Sequence, residues 1–162
     1  LEELAMKVGS DVPFFIKNKT ARVGGKGNKV ELVENNLKDS LILVKPLGFG
    51  VSTKDAYNSF DELDEVRYAN FEKIVECLRN DNRKDLEKYI ENGLEQGISE
   101  RNADIKMFKA ILNSVVPGKK FFMSGSGSTY YTFVTEIERS QIETRLRTFV
   151  DNVKIIISKT IN

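Results

Sequence analysis

The chain has 162 residues, 40% hydrophobic and 30% charged, with a formal net charge of +1. This is the composition of a folded globular chain, and the near-neutral balance gives no electrostatic reason to expect nucleic acid or an anionic membrane as partner. With no histidine and one cysteine, Cys77, the chain cannot hold a Ser-His-Asp triad, a Cys-His pair, the usual zinc sites or an internal disulfide; Asp, Glu, Lys or Tyr remain as general bases, and a reducing, cytoplasmic setting is expected.

Leu1, Leu4, Ala5 and Val8 recur at i, i+3, i+4 and i+7, which predicts one face of a helix ended by Gly9. The pattern is amphipathic from its first residue and uncapped, so the chain is expected to begin inside an element. Segment 1–8 carries Glu2, Glu3 and Lys7 and does not read as a secretion signal. Residues 13–16 read as a short apolar strand headed by Asp11. Segments 19–23 and 29–33 read as hairpin arms joined by a mobile glycine tip, Gly24-Gly25-Lys26-Gly27-Asn28. The polar stretch 34–39, with Asn35-Asn36, reads as a linker. A domain boundary is expected there, dividing the chain into 1–37 and 38–162.

Segment 41–45 is a continuous apolar run stopped by Pro46, the pattern of a buried strand. Ser52 or Thr53 is placed to cap a helix running through Asn58. Three amphipathic stripes follow: Phe71, Ile74, Val75 and Leu78; Leu86, Tyr89, Ile90 and Leu94; Ile105, Phe108, Leu112 and Val115, the last ending before Pro117-Gly118. Strands are predicted at 121–123 and 130–134, on either side of the glycine loop Ser124-Gly125-Ser126-Gly127-Ser128-Thr129. A helix marked by Ile142, Leu146, Phe149 and Val150 and a strand at 153–157 complete the chain. No apolar run approaches the roughly 20 residues of a membrane-spanning helix. From residue 41 the order is strand, helices, strand, strand, helix, strand. This is the split β-α-β arrangement of a ferredoxin-like α+β domain with extra helices in its first crossover.

Two segments could carry chemistry. Asp11 reads either as a turn or cap residue after Gly9, or as a carboxylate aimed into a cleft to accept a proton from a substrate hydroxyl. The 124–129 loop reads either as a tight connection, or as bare backbone able to turn N–H groups toward an anion. It lacks the spacing of a Walker or dinucleotide loop. Tyr57, on the helix after Pro46, is either a packing residue or a platform for a flat ring. Cys77 reads as inert core, and the charges between Asp81 and Glu91 as a solvated face.

In this order, Gly9-Ser-Asp-Val-Pro-Phe-Phe-Ile16, Arg22-Val-Gly-Gly-Lys-Gly-Asn28, Gly50-Val-Ser-Thr-Lys-Asp-Ala-Tyr57 and Ser124-Gly-Ser-Gly127 resemble the GHMP kinase superfamily, over nearly the whole chain. Within it they are similar to the branch that acts on diphosphocytidyl-methylerythritol in the non-mevalonate isoprenoid pathway. The resemblance implies transfer of the ATP γ-phosphoryl group, with Mg²⁺, to the 2-hydroxyl of the methylerythritol unit. It implies Asp11 as the catalytic carboxylate, Tyr57 against the cytosine, Thr53 in the same substrate-side segment, and Ser124, Gly125, Ser126 and Gly127 as support for the phosphate-binding loop; it gives this chain no metal ligand. The superfamily's first two motifs, a catalytic lysine and a long phosphate loop, do not occur here. The chain is therefore expected to be a C-terminal portion, with 1–37 the tail of the catalytic N-terminal domain, inactive without its N-terminal half. Another small-alcohol kinase of the superfamily and a non-catalytic interaction domain of the same fold stay open as alternatives.

Overall fold

In the computed structural model, which describes residues 2–160, helix α1 (Glu2–Val8) ends before Gly9 as its spacing predicts. Leu1 lies outside the described residues. The next segment corrects the sequence reading: Val12–Lys17 is a short helix, α2, and not a strand. A run of four apolar residues carries no period that separates the two, so the ends decide. Pro13 sits in the first helical turn, where its fixed φ fits and its missing N–H is not needed. Asn18 takes a left-handed conformation (φ 47°, ψ 40°) and donates its N–H to the Phe14 carbonyl, ending the helix.

Strands β1 (Ala21–Gly24) and β2 (Lys29–Leu32) pair antiparallel as a hairpin. Its tip is packed rather than free. Gly27, at φ +87°, lies so close to the Ser10 carbonyl that any Cβ there would collide with it. The hairpin tip therefore braces the turn that leads into Asp11.

The remaining elements follow the expected order: β3 (Ser40–Pro46), α3 (Thr53–Asp61), α4 (Phe71–Arg79), α5 (Arg83–Tyr89), α6 (Gly93–Arg101), α7 (Ala103–Val115), β4 (Phe122–Met123), β5 (Tyr130–Val134), α8 (Glu136–Phe149) and β6 (Val153–Lys159). The second predicted stripe is divided. Ile90 turns extended (φ −71°, ψ 123°) at the end of α5, and Asn92 caps a new helix that takes Leu94 with it. The four strands form one antiparallel sheet in the order β4-β5-β3-β6, the strand order of a ferredoxin-like domain.

Both faces of this sheet are covered. Ile42, Val44, Tyr130 and Val134 point to one face, against Ile98 of α6, Phe108 and Leu112 of α7 and Leu146 of α8. The alternate residues Leu41, Tyr131 and Phe133 point to the other, against Leu37, Cys77 of α4 and Leu86 of α5. Cys77 is buried there, as the sequence suggested, and burial pushes its thiol pKa up. Among the described residues no helix is long and apolar enough to cross a membrane.

Candidate functional site

The glycine loop joins β4 to β5 and is shaped from within by two backbone bonds. Ser124 donates its N–H to the Thr129 carbonyl at 2.8 Å, and Gly127 to the Ser124 carbonyl at 3.0 Å. The N–H groups of Gly125, Ser126 and Ser128 take part in neither bond. Gly125 (φ +56°) and Gly127 (φ +90°) occupy conformations open to glycine, which is why the loop turns in so few residues. On its other flank Ser128, buried, donates its hydroxyl to the Phe49 carbonyl at 3.5 Å.

The loop meets helix α3 through side chains. Thr53, the first residue of α3, places Oγ1 3.2 Å from Oγ of Ser126. Ser52 caps the helix by accepting from the Asp55 N–H, which fixes where α3 starts and thus where Thr53 projects. Tyr57 lies one turn further on the same face, four residues from Thr53. The residue is 55% exposed, so packing does not account for it. The structure thus gathers Thr53, Tyr57 and the 124–127 loop on one surface, although they come from segments 73 residues apart.

Two glycines of α6 set the position of α3. A Cβ on Gly97 would lie 2.6 Å from the Phe60 nitrogen and the Ser59 carbonyl, and one on Gly93 would lie 2.5 Å from the Phe60 ring. The helices approach more closely than side-chain-bearing residues would allow.

Asp11 belongs to the N-terminal segment. It occupies the N-cap position of α2, is exposed, and makes no capping hydrogen bond. No hydrogen bond or ion pair joins it to Thr53, Tyr57 or the glycine loop among the described residues. The corrected local structure alters its support: a helix start, braced by Ser10 against Gly27, holds Asp11 where a strand had been expected.

Two residues that sequence reasoning passed over hold the loop. Asn92 donates through Nδ2 to the Met123 and Gly125 carbonyls, both at 2.9 Å, while its Oδ1 accepts from the Leu94 and Glu95 N–H groups. Buried Glu95 accepts from the Met123 N–H at 3.1 Å through Oε2 and from Lys109 Nζ at 2.5 Å through Oε1. The signal was present as Asn92-Gly93-Leu94-Glu95, a helix-start pattern that by itself says nothing of a distant loop. Behind Glu95, burial pushes the Tyr130 hydroxyl well above its ordinary pKa, and burial with the nearby Glu95 charge pushes Tyr131 up to about 12. Both phenols stay neutral at physiological pH, so neither is a base.

A cleft of about 810 Å³ runs beside β4 between α5, α6 and α7, lined among others by Asn92, Glu95, Lys109 and Phe122. None of Asp11, Thr53, Tyr57 or 124–127 lines it. Thr53, Tyr57 and 124–127 lie instead on the exposed loop surface, which is the candidate site. Among the described residues no group of three or more Asp, Glu, Cys or His side chains gathers to hold a metal.

No protein-family model matches the chain. The chain is 76% identical over all 162 residues to a 4-diphosphocytidyl-2-C-methyl-D-erythritol kinase of Fusobacterium nucleatum, covering 55% of that protein. It is 33% identical over 148 residues to one of Clostridium botulinum, where 88% of this chain covers 50% of the relative. It thus spans about half the length of the curated relatives it matches. Among solved structures, 99% of the chain superposes on 57% of a 4-(cytidine 5'-diphospho)-2C-methyl-D-erythritol kinase with a TM-score of 0.76 at 21% identity. A homoserine kinase from Cytophaga hutchinsonii gives 0.62 over 83% of the chain at 17% identity. The α+β fold is shared with these kinases, and the resemblance read from the motifs is borne out.

Proposed function

Similarity along its whole length to the Fusobacterium kinase is the premise from which we propose that this chain is the C-terminal part of an ATP-dependent kinase that phosphorylates 4-diphosphocytidyl-2-C-methyl-D-erythritol. The observation that carries the reading is the contact of Thr53 with Ser126, with the exposed Tyr57 ring one turn away. It unites a surface suited to a flat base with a backbone loop suited to an anion. An acceptor lying on it would present its cytosine to Tyr57 and its diphosphate toward the Thr53 and Ser126 hydroxyls.

Asp11 would orient the acceptor hydroxyl and take its proton as the new P–O bond forms and the bond to the β-phosphate oxygen breaks. ATP would supply the phosphoryl group, with Mg²⁺ balancing the charge that develops on it. Ser124–Gly127 backbone and hydroxyl groups offer hydrogen bonds suited to phosphate oxygens; no side chain of this chain is assigned to the metal. We assign 1–37 to an N-terminal domain and 38–162 to a C-terminal one, with Leu37 at the junction already seated in the C-terminal core. Exposure of Leu4, Val8, Phe15, Val23 and Leu32 on the first segment supports this, because such large apolar side chains are suited to burial against the rest of such a domain. The chain alone is expected to be inactive.

The test is a coupled assay with Mg-ATP on the full-length protein, its Asp11→Asn variant and this chain alone. Turnover by the parent, a loss of about 10²–10⁴-fold in Asp11→Asn and none from the isolated chain are expected. A parent that phosphorylates homoserine or another small alcohol instead would remove the substrate assignment, and an Asp11→Asn variant with full turnover would remove the role of Asp11.

A further inference from the structure

We propose that Asn92 is a positioning residue that aims the Ser126 N–H of the glycine loop at the anionic ligand. The inference rests on the reading of that loop as phosphate-facing and assigns the groups that shape it.

Every hydrogen-bonding group of the Asn92 side chain is engaged. Its amide oxygen accepts from Leu94 and Glu95 at 3.0 and 3.3 Å, capping α6, and its two N–H groups go to the Met123 and Gly125 carbonyls. The same helical turn holds Met123 a second time, because Glu95 Oε2 takes the Met123 N–H at 3.1 Å and is itself held by Lys109. The last strand residue before the loop is therefore gripped at both its donor and its acceptor. The remaining bond reaches into the loop itself.

That bond has a directional consequence. In a trans peptide the C=O and the following N–H point in opposite directions. Drawing the Gly125 carbonyl onto Asn92 turns the N–H of Ser126, whose hydroxyl meets Thr53, away from Asn92. Gly125 at φ +56° has the freedom to present either face of this peptide. Without Asn92, the carbonyl is free to turn outward and offer a ligand phosphate its partial negative charge.

The test uses a substitution that keeps the cap. Asn92→Asp retains an oxygen for the Leu94 and Glu95 N–H groups, and Asp caps helices about as well as Asn. It loses both donated bonds and sets a carboxylate against two carbonyls. In the full-length protein the variant is expected to raise KM for the acceptor, whose diphosphate faces Ser126, by about tenfold or more, with KM for ATP within about twofold. Hydrogen exchange in 121–130 should accelerate by about the same factor while α6 and the sheet keep their protection. Asn92→Ser, which caps but cannot reach the loop, should fall between.

An unchanged exchange rate in 121–130 would overturn the proposal. So would uniform acceleration across the chain, which would make Asn92 a fold-wide structural residue, and so would a loosened loop with unchanged KM for the acceptor. Should the unsubstituted protein turn over no acceptor, the kinase reading fails, and exchange alone still decides whether Asn92 sets the loop.

Discussion

Gly97→Ala tests whether the close approach of α3 and α6 holds the site together. The added methyl would stand 2.6 Å from the Phe60 nitrogen and from both carbonyl atoms of Ser59. All three are backbone, so no side chain can rotate away. Reaching ordinary contact at 3.4 Å requires α3 to retreat by about 0.8 Å. Overpacking of this kind costs about 1–3 kcal/mol, and the better helix propensity of Ala returns about 1 kcal/mol. With only backbone to yield, the cost falls at the upper end of that range, so the net loss is about 2 kcal/mol, a fall of about 4–8 °C in Tm for a domain of this size. Displacing α3 also stretches the Thr53–Ser126 contact beyond its present 3.2 Å. The assay is thermal and urea denaturation beside Gly50→Ala, where a new Cβ meets nothing within 4 Å. If Gly97→Ala matches or exceeds the parent in stability, the helix contact is not tight and the account of how Thr53 is placed is wrong.

Other outcomes follow from the same geometry. Tyr57→Ala should raise KM for the acceptor about tenfold in the full-length protein while leaving Tm unchanged, because the ring is exposed; Tyr57→Phe should behave as the parent, and steady-state kinetics with the acceptor varied separates the two. Gly127→Ala combines a φ of +90° with crowding against Met123 Sδ, whereas Gly118→Ala combines a φ of +84° with open space. Both should lose about 1–2 kcal/mol to backbone strain, with any excess in Gly127→Ala measuring the crowding by urea denaturation. Burial works to raise the Glu138 pKa, but hydrogen bonds from Lys119 and Thr135 and the Lys119 charge outweigh it and hold the group down to about 2. Its stabilisation is therefore complete above the ordinary carboxylate range and is lost as pH falls toward 2. With the side chain 35% exposed, solvent screening leaves about 1 kcal/mol. Glu138→Gln should thus be less stable than the parent at pH 7 and equal to it at pH 2; a constant difference across that range would contradict the assignment.

Much of this organisation was legible because its signals are local. The α1 face, the hairpin, the Ser52 cap and the strand–loop–strand around 124–129 each follow from period, cap or turn chemistry within a few residues. The strand order followed from topology rules once the elements were in place. What escaped was decided at a distance or by termini. Four apolar residues at 13–16 gave no period, and Pro13 with Asn18 made them helical. The Leu86–Leu94 stripe looked continuous because Asn92 and Gly93 weigh little in a hydrophobic pattern, yet together they start a new helix and anchor the loop. Amphipathic stripes also do not say which side of a sheet they cover, so the placement of α4 and α5 on the second face was invisible. For the candidate site, the loop and Tyr57 could be picked out, whereas their joining through Thr53 and Asn92 could not.

The span of those contacts bears on how the protein acquires its site. Thr53 reaches Ser126 across 73 positions, and Asn92 reaches the loop across 31 and 33. Bringing such remote segments together incurs its loop-closure entropy before any contact repays it, so these contacts belong to the late part of folding. None of them can exist in a partly assembled chain in which α3 or β4 has yet to dock. The proposed ligand surface is thus among the last features to form, and its presence marks the docking of α3 and α6 beside the β4–β5 loop.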